Sequence, residues 1–477
     1  MRIHVRRCSK MLFSSTSFIF LFLPLLLIIY YAIPKKYFPA KNAALLIFSL
    51  IFYSWGEPVY VLLMIYTSFF NYFMAHIIVR AKIRGGRGKL DFVFTIFVNL
   101  SILCFFKYFG FLMDTVNGIF GSNISYTALP LPVGISFYTF QALSYVIDVY
   151  KSEVRPQKSF LNFALYISLF PQLIAGPIIN YKDIEQQLSE RTTTLDRFGQ
   201  GARRFIFGLA KKVILANNLG VLHRFVIGLS ASESSVMTSW IGIMAYTLQL
   251  YFDFSGYSDM AIGLGRMFGF KFKENFNYPY ISESVTEFWR RWHISLSSWF
   301  REYLYIPLGG NRVSASRHIV NLLIVWALTG LWHGASWNFV VWGLYYGILL
   351  ILEKYLYGEY LQGLKPVIRH VYTGLVVIVG WVFFSSKDLP TALDYIKQLS
   401  GVSGIDFLNM TTIYLLRTNL ILLLLVCLIA ARKGMDAFKT VAGKYPLAEI
   451  VFLTGIFTVA AGYLIYDSYN PFLYFRF

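Results

Sequence analysis

Two histidines stand in stretches where an imidazole is expensive to keep. His333 lies in Leu331-Trp332-His333-Gly334-Ala335-Ser336-Trp337, within a run from Ile319 to Leu352 that is apolar enough for a membrane. Hydrocarbon offers no water to solvate an ionisable ring, so such a residue is a functional-site candidate. Trp332 and Trp337 are rigid walls with one N–H donor each, and Gly334 admits a backbone or a substrate at close range. A helix-packing histidine bonded to a neighbouring carbonyl is the alternative, and the residues alone leave both open.

His293 lies in Glu287-Phe288-Trp289-Arg290-Arg291-Trp292-His293-Ile294-Ser295-Leu296-Ser297. On one continuous helix, Trp289, Trp292 and Leu296 share a face, as do Arg290, His293 and Ser297. The first face suits apolar surroundings and the second a polar cavity. A membrane-surface helix with snorkelling arginines explains the Arg and Trp residues but not His293. In Asp253-Phe254-Ser255-Gly256-Tyr257-Ser258-Asp259, two carboxylates flank a small turn. They suit a cation or a histidine partner, but Asp and Ser are favoured N-caps, so a broken helix is the preferred reading. His76, His223, His318 and His370 sit near segment ends beside cations, where an interfacial histidine needs no special cause, and His4 lies in the first ten residues. No H-x-x-H, C-x-x-C or G-x-x-x-x-G-K pattern occurs, so neither zinc nor a nucleoside triphosphate is indicated. His293 and His333 as walls of one cavity suit transfer of a group across or within a bilayer.

The elements that must position these residues are membrane helices. The 477 residues are 57% hydrophobic, 19% aromatic and only 14% charged. That composition predicts an all-α polytopic membrane protein, its segments being too long and uniformly apolar for a β-barrel. The net charge of +19 comes from short Lys/Arg runs between apolar segments. The positive-inside rule accounts for them without a nucleic-acid partner. Cys8, Cys104 and Cys427 fit no metal spacing, and the latter two read as small core residues. No internal repeat is visible, which weakens a transporter built on inverted halves.

Apolar segments run at about 17–33, 42–55, 58–79, 91–113, 131–149, 160–175, 203–222, 236–254, 319–336, 338–356, 367–384, 412–430 and 447–466. The basic stretches Arg80–Lys89 and Arg432–Lys444 are expected inside, which places both chain ends on the extracytoplasmic side. An even number of crossings follows, so at least one segment does not cross. Residues 160–175, with Pro171 and Pro177, are the expected re-entry. Lys182–Arg204 reads as one cytoplasmic-face helix with Ile184, Leu188 and Leu195 on its apolar side. Residues 1–10, rich in cations that prefer the cytoplasm, are expected to be a dispensable extension ahead of Met11. Residues 11–466 form the membrane domain, and 467–477 an extracytoplasmic aromatic tail.

The residues Phe288–Gly310, followed by Leu328-Thr329-Gly330-Leu331-Trp332-His333-Gly334-Ala335, resemble the membrane-bound O-acyltransferases, most closely the bacterial alginate O-acetyltransferase branch. Asp253–Ile262, Pro132–Gln141 and Met11-Leu12-Phe13 match that branch too. The resemblance implies a ring of tilted helices with re-entrant and interfacial pieces around a central tunnel. It implies that His333 is the catalytic histidine and His293 a second histidine lining the tunnel. Many relatives carry a further histidine in W-G-x-x-H-G; here Tyr346 replaces it, and no essential role carries over to that position. The ending Asn470–Phe477 is similar to tails of this branch and to a small partner peptide of D-alanyl-transfer systems, in which a tyrosine is thought to carry the acyl group. That tyrosine maps to Tyr474; an aromatic interface anchor is the plainer reading.

The implied reaction is O-acetylation of an extracytoplasmic polysaccharide. The donor is a cytosolic acyl thioester such as acetyl-CoA, used as a substrate with no tightly bound cofactor or metal. The partners are the bilayer, an exported serine-nucleophile acetyltransferase of the SGNH type and the polymer. A different acyl group such as D-alanine, or an exporter or flippase with no covalent step, remain the alternatives.

Overall fold

The computed structural model of the chain describes residues 11–127, 129–174, 176–432, 434, 436, 440, 444–466 and 473. The expectation for residues 1–10 lies outside the described residues, as does most of the aromatic tail.

Among the described residues there is no strand, and the all-α expectation holds. In chain order the helices are α1 (Phe18–Ala32), α2 (Phe38–Gly56), α3 (Tyr60–Ile83), α4 (Lys89–Phe120), α5 (Ile135–Lys151), α6 (Phe160–Ser168), α7 (Phe170–Leu173), α8 (Tyr181–Ser189) and α9 (Leu195–Ile227). They continue as α10 (Val236–Met267), α11 (Val285–Arg291), α12 (Ile294–Phe300), α13 (Ala315–His333), α14 (Trp337–Gly363), α15 (Pro366–Ser385), α16 (Leu389–Ser400), α17 (Met410–Ala430) and α18 (Pro446–Tyr466). By length and composition α3, α4, α9, α14, α15, α17 and α18 can each cross a membrane. Their outward residues, such as Phe97, Leu112, Leu420, Leu424 and Val451, are exposed and apolar, as lipid contact requires. This is a multi-pass membrane protein.

The 160–175 stretch forms two short helices broken at Leu169. The longer, α6, has nine residues, or roughly 14 Å, against a hydrocarbon core of about 30 Å. Four expectations are corrected. Lys182–Arg204 is not one helix: α8 ends at Ser189 and α9 starts at Leu195, where Thr194 Oγ1 accepts the Arg197 N–H at 3.2 Å. Ile184 and Leu188 are buried, but Leu195 is 90% exposed, because the break turns it off their face. The Asp253–Asp259 stretch does not break a helix: α10 runs through it. Ion pairs inside the fold, rather than capping, employ those carboxylates. Cys104 and Cys427 are exposed rather than core residues, sitting on the outer faces of α4 and α17.

The chain divides into two compact units. The first holds the residues up to Phe205, Ser258–Lys273 and a short piece from Leu464. Its core is an aromatic cluster of Phe13, Phe18, Phe22, Phe52 and Phe170. Two polar pairs lie in its interior. Asn71 of α3 and Asn99 of α4 exchange amide hydrogen bonds of 2.9 Å, an interhelical link of the kind that hydrocarbon favours. Arg204 binds Asp259 at 2.8 Å.

The second unit holds Ile206–Tyr257, Glu274–Tyr463 and the segment from Asn470. Its centre is the hairpin of α13 and α14. A Cβ on Gly330 would stand 2.1 Å from the Phe339 carbonyl oxygen, and one on Gly343 2.2 Å from that of Trp326. Only glycine allows this approach.

Candidate active site

His293 is placed by a broken helix. α11 begins with Ser284, whose Oγ accepts the Glu287 N–H at 3.0 Å, while the Glu287 carboxylate accepts the Glu283 N–H at 2.9 Å. This is a variant of the capping box. A second carboxylate reinforces it: Glu353 accepts the N–H groups of Val285 (2.7 Å) and Thr286 (2.9 Å) and the Thr286 hydroxyl (2.7 Å). α11 stops at Arg291, and His293 takes a left-handed backbone, φ 45° and ψ 54°, before α12 begins. The expectation of one continuous helix is corrected here. The two faces it would have separated do not exist as such: Trp289, Arg290, Trp292, His293, Leu296 and Ser297 all line one cavity. A non-glycine residue in this conformation stores strain that the surrounding structure must hold.

Asn275 does the holding. Its main-chain carbonyl accepts the Ile294 N–H at 2.9 Å. Its Oδ1 accepts the Ser295 N–H at 3.1 Å and the Ser295 hydroxyl at 2.9 Å, and lies 3.2 Å from His293 Nδ1. An atom receiving a backbone N–H is the amide oxygen, so Nδ1 carries the proton and donates. Nε2 of the neutral ring therefore presents a lone pair, and it is buried without a hydrogen-bond partner. The segment 274–314 lies outside the spanning helices. Burial there pushes the His293 pKa down to about 3, which makes the ring a hydrogen-bond acceptor rather than a base at neutral pH.

His333 is the last residue of α13 and is buried. The chain turns back at once through Gly334–Ser336, where a Cβ on Gly334 would strike the Phe339 ring at 2.1 Å. Aromatic rings surround the imidazole: Trp332 at 5.0 Å, Trp342 at 4.9 Å and Phe384 at 5.3 Å between centroids. The His293 ring lies 6.1 Å from that of Trp332 and 4.7 Å, edge-on, from Phe254.

Both histidines line one cavity of about 790 Å³. It follows a single face of α13, touching His318, Leu322, Val325, Trp326, Thr329 and His333. From His318 to His333 this face is roughly 22 Å long at 1.5 Å per residue. The wall is mixed: Arg290, Arg301, Lys354 and Arg369 stand with Glu283, Glu287, Glu353 and Glu359. Arg369 is paired with Glu283 at 2.8 Å.

Two lining residues escaped the sequence reading. His318 bridges two tyrosines, its Nε2 2.7 Å from Tyr305 Oη and its Nδ1 2.7 Å from Tyr355 Oη. Nothing in its sequence neighbourhood, beyond helical spacing from His333, points to this. Glu353 had a signal, a carboxylate closing a long apolar run. Tyr346 is fully buried against Trp289 (4.8 Å) and Trp342 (5.3 Å) and does not line the cavity. No group of three or more potential metal ligands occurs among the described residues.

Tyr474 lies outside the described residues, but its neighbour Leu473 does not. Leu473 is buried and donates its N–H to Asp253 Oδ2 at 2.8 Å. Asp253 Oδ1 lies 2.6 Å from the Lys212 ammonium, and both side chains are almost wholly buried.

Residues 50–386 match the MBOAT, membrane-bound O-acyltransferase family. The chain is 41% identical over 434 residues to a probable alginate O-acetylase of Azotobacter vinelandii, covering 90% of this chain and 86% of that protein. It is 34% identical to a peptidoglycan O-acetyltransferase of Helicobacter pylori, covering 86% and 83%. It is 28% identical to a teichoic acid D-alanyltransferase of Bacillus subtilis, covering 54% and 69%. Given these likenesses across a helical, multi-pass chain, the protein is an O-acyltransferase, and it belongs to the membrane-bound O-acyltransferase family.

Proposed function

We propose that the protein takes acetyl groups from a cytosolic thioester and passes them across the membrane for O-acetylation of an extracytoplasmic polysaccharide. One observation carries this reading: His293 and His333 line a single elongated cavity whose wall also carries Arg290, Arg301 and Lys354. A long, anionic donor such as acetyl-CoA suits such a cavity, entering as a substrate and leaving as the free thiol. The relatives named for O-acetylation of alginate and peptidoglycan support acetyl as the group and a glycan polymer as the final acceptor.

His333 is the general base, the role of a neutral imidazole that takes a proton from a hydroxyl and returns it. It takes the proton from the acceptor hydroxyl, that of Tyr474. The tyrosine oxygen attacks the thioester carbonyl, the C–O bond forms, the C–S bond breaks, and the leaving thiolate takes the proton back from His333. His293 is the second site residue; its Nε2 lone pair accepts a hydrogen bond from the donor. The acetyl ester on Tyr474 then passes to the serine of an exported SGNH-type partner and from there to the polymer. The basic loops at Arg80–Lys89 and Arg432–Lys444 support a cytoplasmic position for themselves and extracytoplasmic chain ends. In that orientation the donor approaches from inside and the Tyr474 segment from outside. The protein lies in the bacterial cytoplasmic membrane.

Incubating purified protein with labelled acetyl-CoA tests the reading. The expected result is a hydroxylamine-labile acetyl group on the protein that is absent from Tyr474→Phe, a variant keeping the aromatic packing and losing only the nucleophile. Full polymer acetylation by Tyr474→Phe rules the tyrosine out as carrier. No acyl-enzyme with acetyl-CoA, but one with a D-alanyl thioester, moves the protein to the other acyl class.

A further inference from the structure

The geometry points to the buried Asp253–Lys212 pair as a docking latch for the chain at Leu473, holding it by its backbone beside the active-site cavity. The inference rests on the proposal that this segment carries the acyl group, and it adds the residues that position it. Three observations meet here. Asp253 uses its two oxygens on different partners: Oδ1 on Lys212 Nζ at 2.6 Å and Oδ2 on the Leu473 N–H at 2.8 Å. All three residues are buried. The residue after Asp253, Phe254, packs its ring edge-on against His293 at 4.7 Å.

A buried ion pair is a poor source of stability, since desolvation offsets most of the attraction. Its use here is positional: one carboxylate holds a side chain with one oxygen and a backbone N–H with the other. An ionised carboxylate accepts a backbone N–H about twice as strongly as a neutral acceptor does. The grip is on the main chain of Leu473. Tyr474 is the next residue in the sequence. Asp253 and Lys212 are thus positioning residues: they touch no reacting atom and set where Tyr474 starts.

The test replaces the pair by apolar residues of similar size, Asp253→Leu with Lys212→Met, so that no lone charge is left buried. The first readout is the rate at which a maleimide labels Leu473→Cys in protein lacking its native cysteines. The second is acetylation of the polymer. Loss of a hydrogen bond to a charged group predicts labelling about tenfold faster and acetylation about tenfold slower. Unchanged labelling overturns the latch. Faster labelling with full acetylation leaves the latch standing and removes the segment as carrier, so the two failures are distinct. Leu473→Pro provides a second route, because it deletes the donated N–H and leaves the ion pair whole. It loses about tenfold in acetylation where Leu473→Ala, which keeps the N–H, loses little. Equal activity of the two also overturns the latch.

Discussion

The His293 ring stands 6.1 Å from the ring of Trp332, the residue immediately before His333. One indole thus neighbours both histidines, which reach it from a break between α11 and α12 and from the end of α13. Both imidazoles come from places where a helix stops. His293 takes a left-handed backbone there, whereas His333 still belongs to the helical face that lines the cavity.

The backbone of His293 dictates how it can be replaced. Asn tolerates a left-handed conformation and lacks the imidazole. His293→Asn should therefore accumulate in the membrane normally and lose about a hundredfold in acetylation, the scale of a misplaced substrate. The pH profile of its residual activity should keep the wild-type midpoint, because a ring with a pKa near 3 is not the titrating base. A shifted midpoint would assign the base to His293 instead.

The same ring predicts an acid-sensitive stability. Its pKa falls from 6.5 to about 3 in the folded protein. The unfolded chain binds the proton first, so the contribution of His293 is intact above pH 6.5 and is lost as the pH falls towards 3. Thermal unfolding followed by tryptophan fluorescence should show a steeper drop in Tm below pH 6.5 for wild type than for His293→Asn. Parallel curves would show that the ring accepts a proton in place.

Glu353 ties α14 to the start of α11 through three accepted hydrogen bonds. Glu353→Ala leaves one buried and one half-buried backbone donor without an acceptor and should cost about 2 kcal/mol. The comparison with Glu353→Gln is informative, since the amide oxygen still accepts. Gln should recover part of both stability and acetylation, and no recovery would mean that the negative charge, rather than the capping, is what matters.

Much of this fold was legible as segments, because spans of apolar residues fix where helices lie, and each of the thirteen candidate stretches contains helix. What sequence could not give was where helices stop. Helical spacing from Trp289 to Leu296 reads as one element, and only the network around Asn275 reveals that His293 interrupts it. In Asp253–Asp259 the error ran the other way: good N-cap residues suggested a break, but an ion pair and a backbone contact absorb Asp253 within a continuous helix. His333 stood out as a candidate because a titratable residue in an apolar run is costly, and it lies in the cavity wall. His318 did not, since its two tyrosine partners come from separate elements.

The closeness of α13 and α14 sets the position of His333. Gly330→Val pushes a side chain into the Phe339 carbonyl oxygen, which lies 2.1 Å from the Cβ position. The expected cost is about 3 kcal/mol, the upper end of overpacking, with acetylation lost in proportion to folded protein. Gly363→Val, where a Cβ meets nothing within 4 Å, is the control and should be neutral in both.

The central claim is that His333 takes the acceptor proton. His333→Ala, measured for polymer acetylation in cells and for protein in the membrane fraction, addresses it most directly. The account predicts unchanged protein and a loss of at least about a hundredfold in acetylation, the lower end of general-base effects. Normal acetylation by His333→Ala, at wild-type membrane levels, would contradict it.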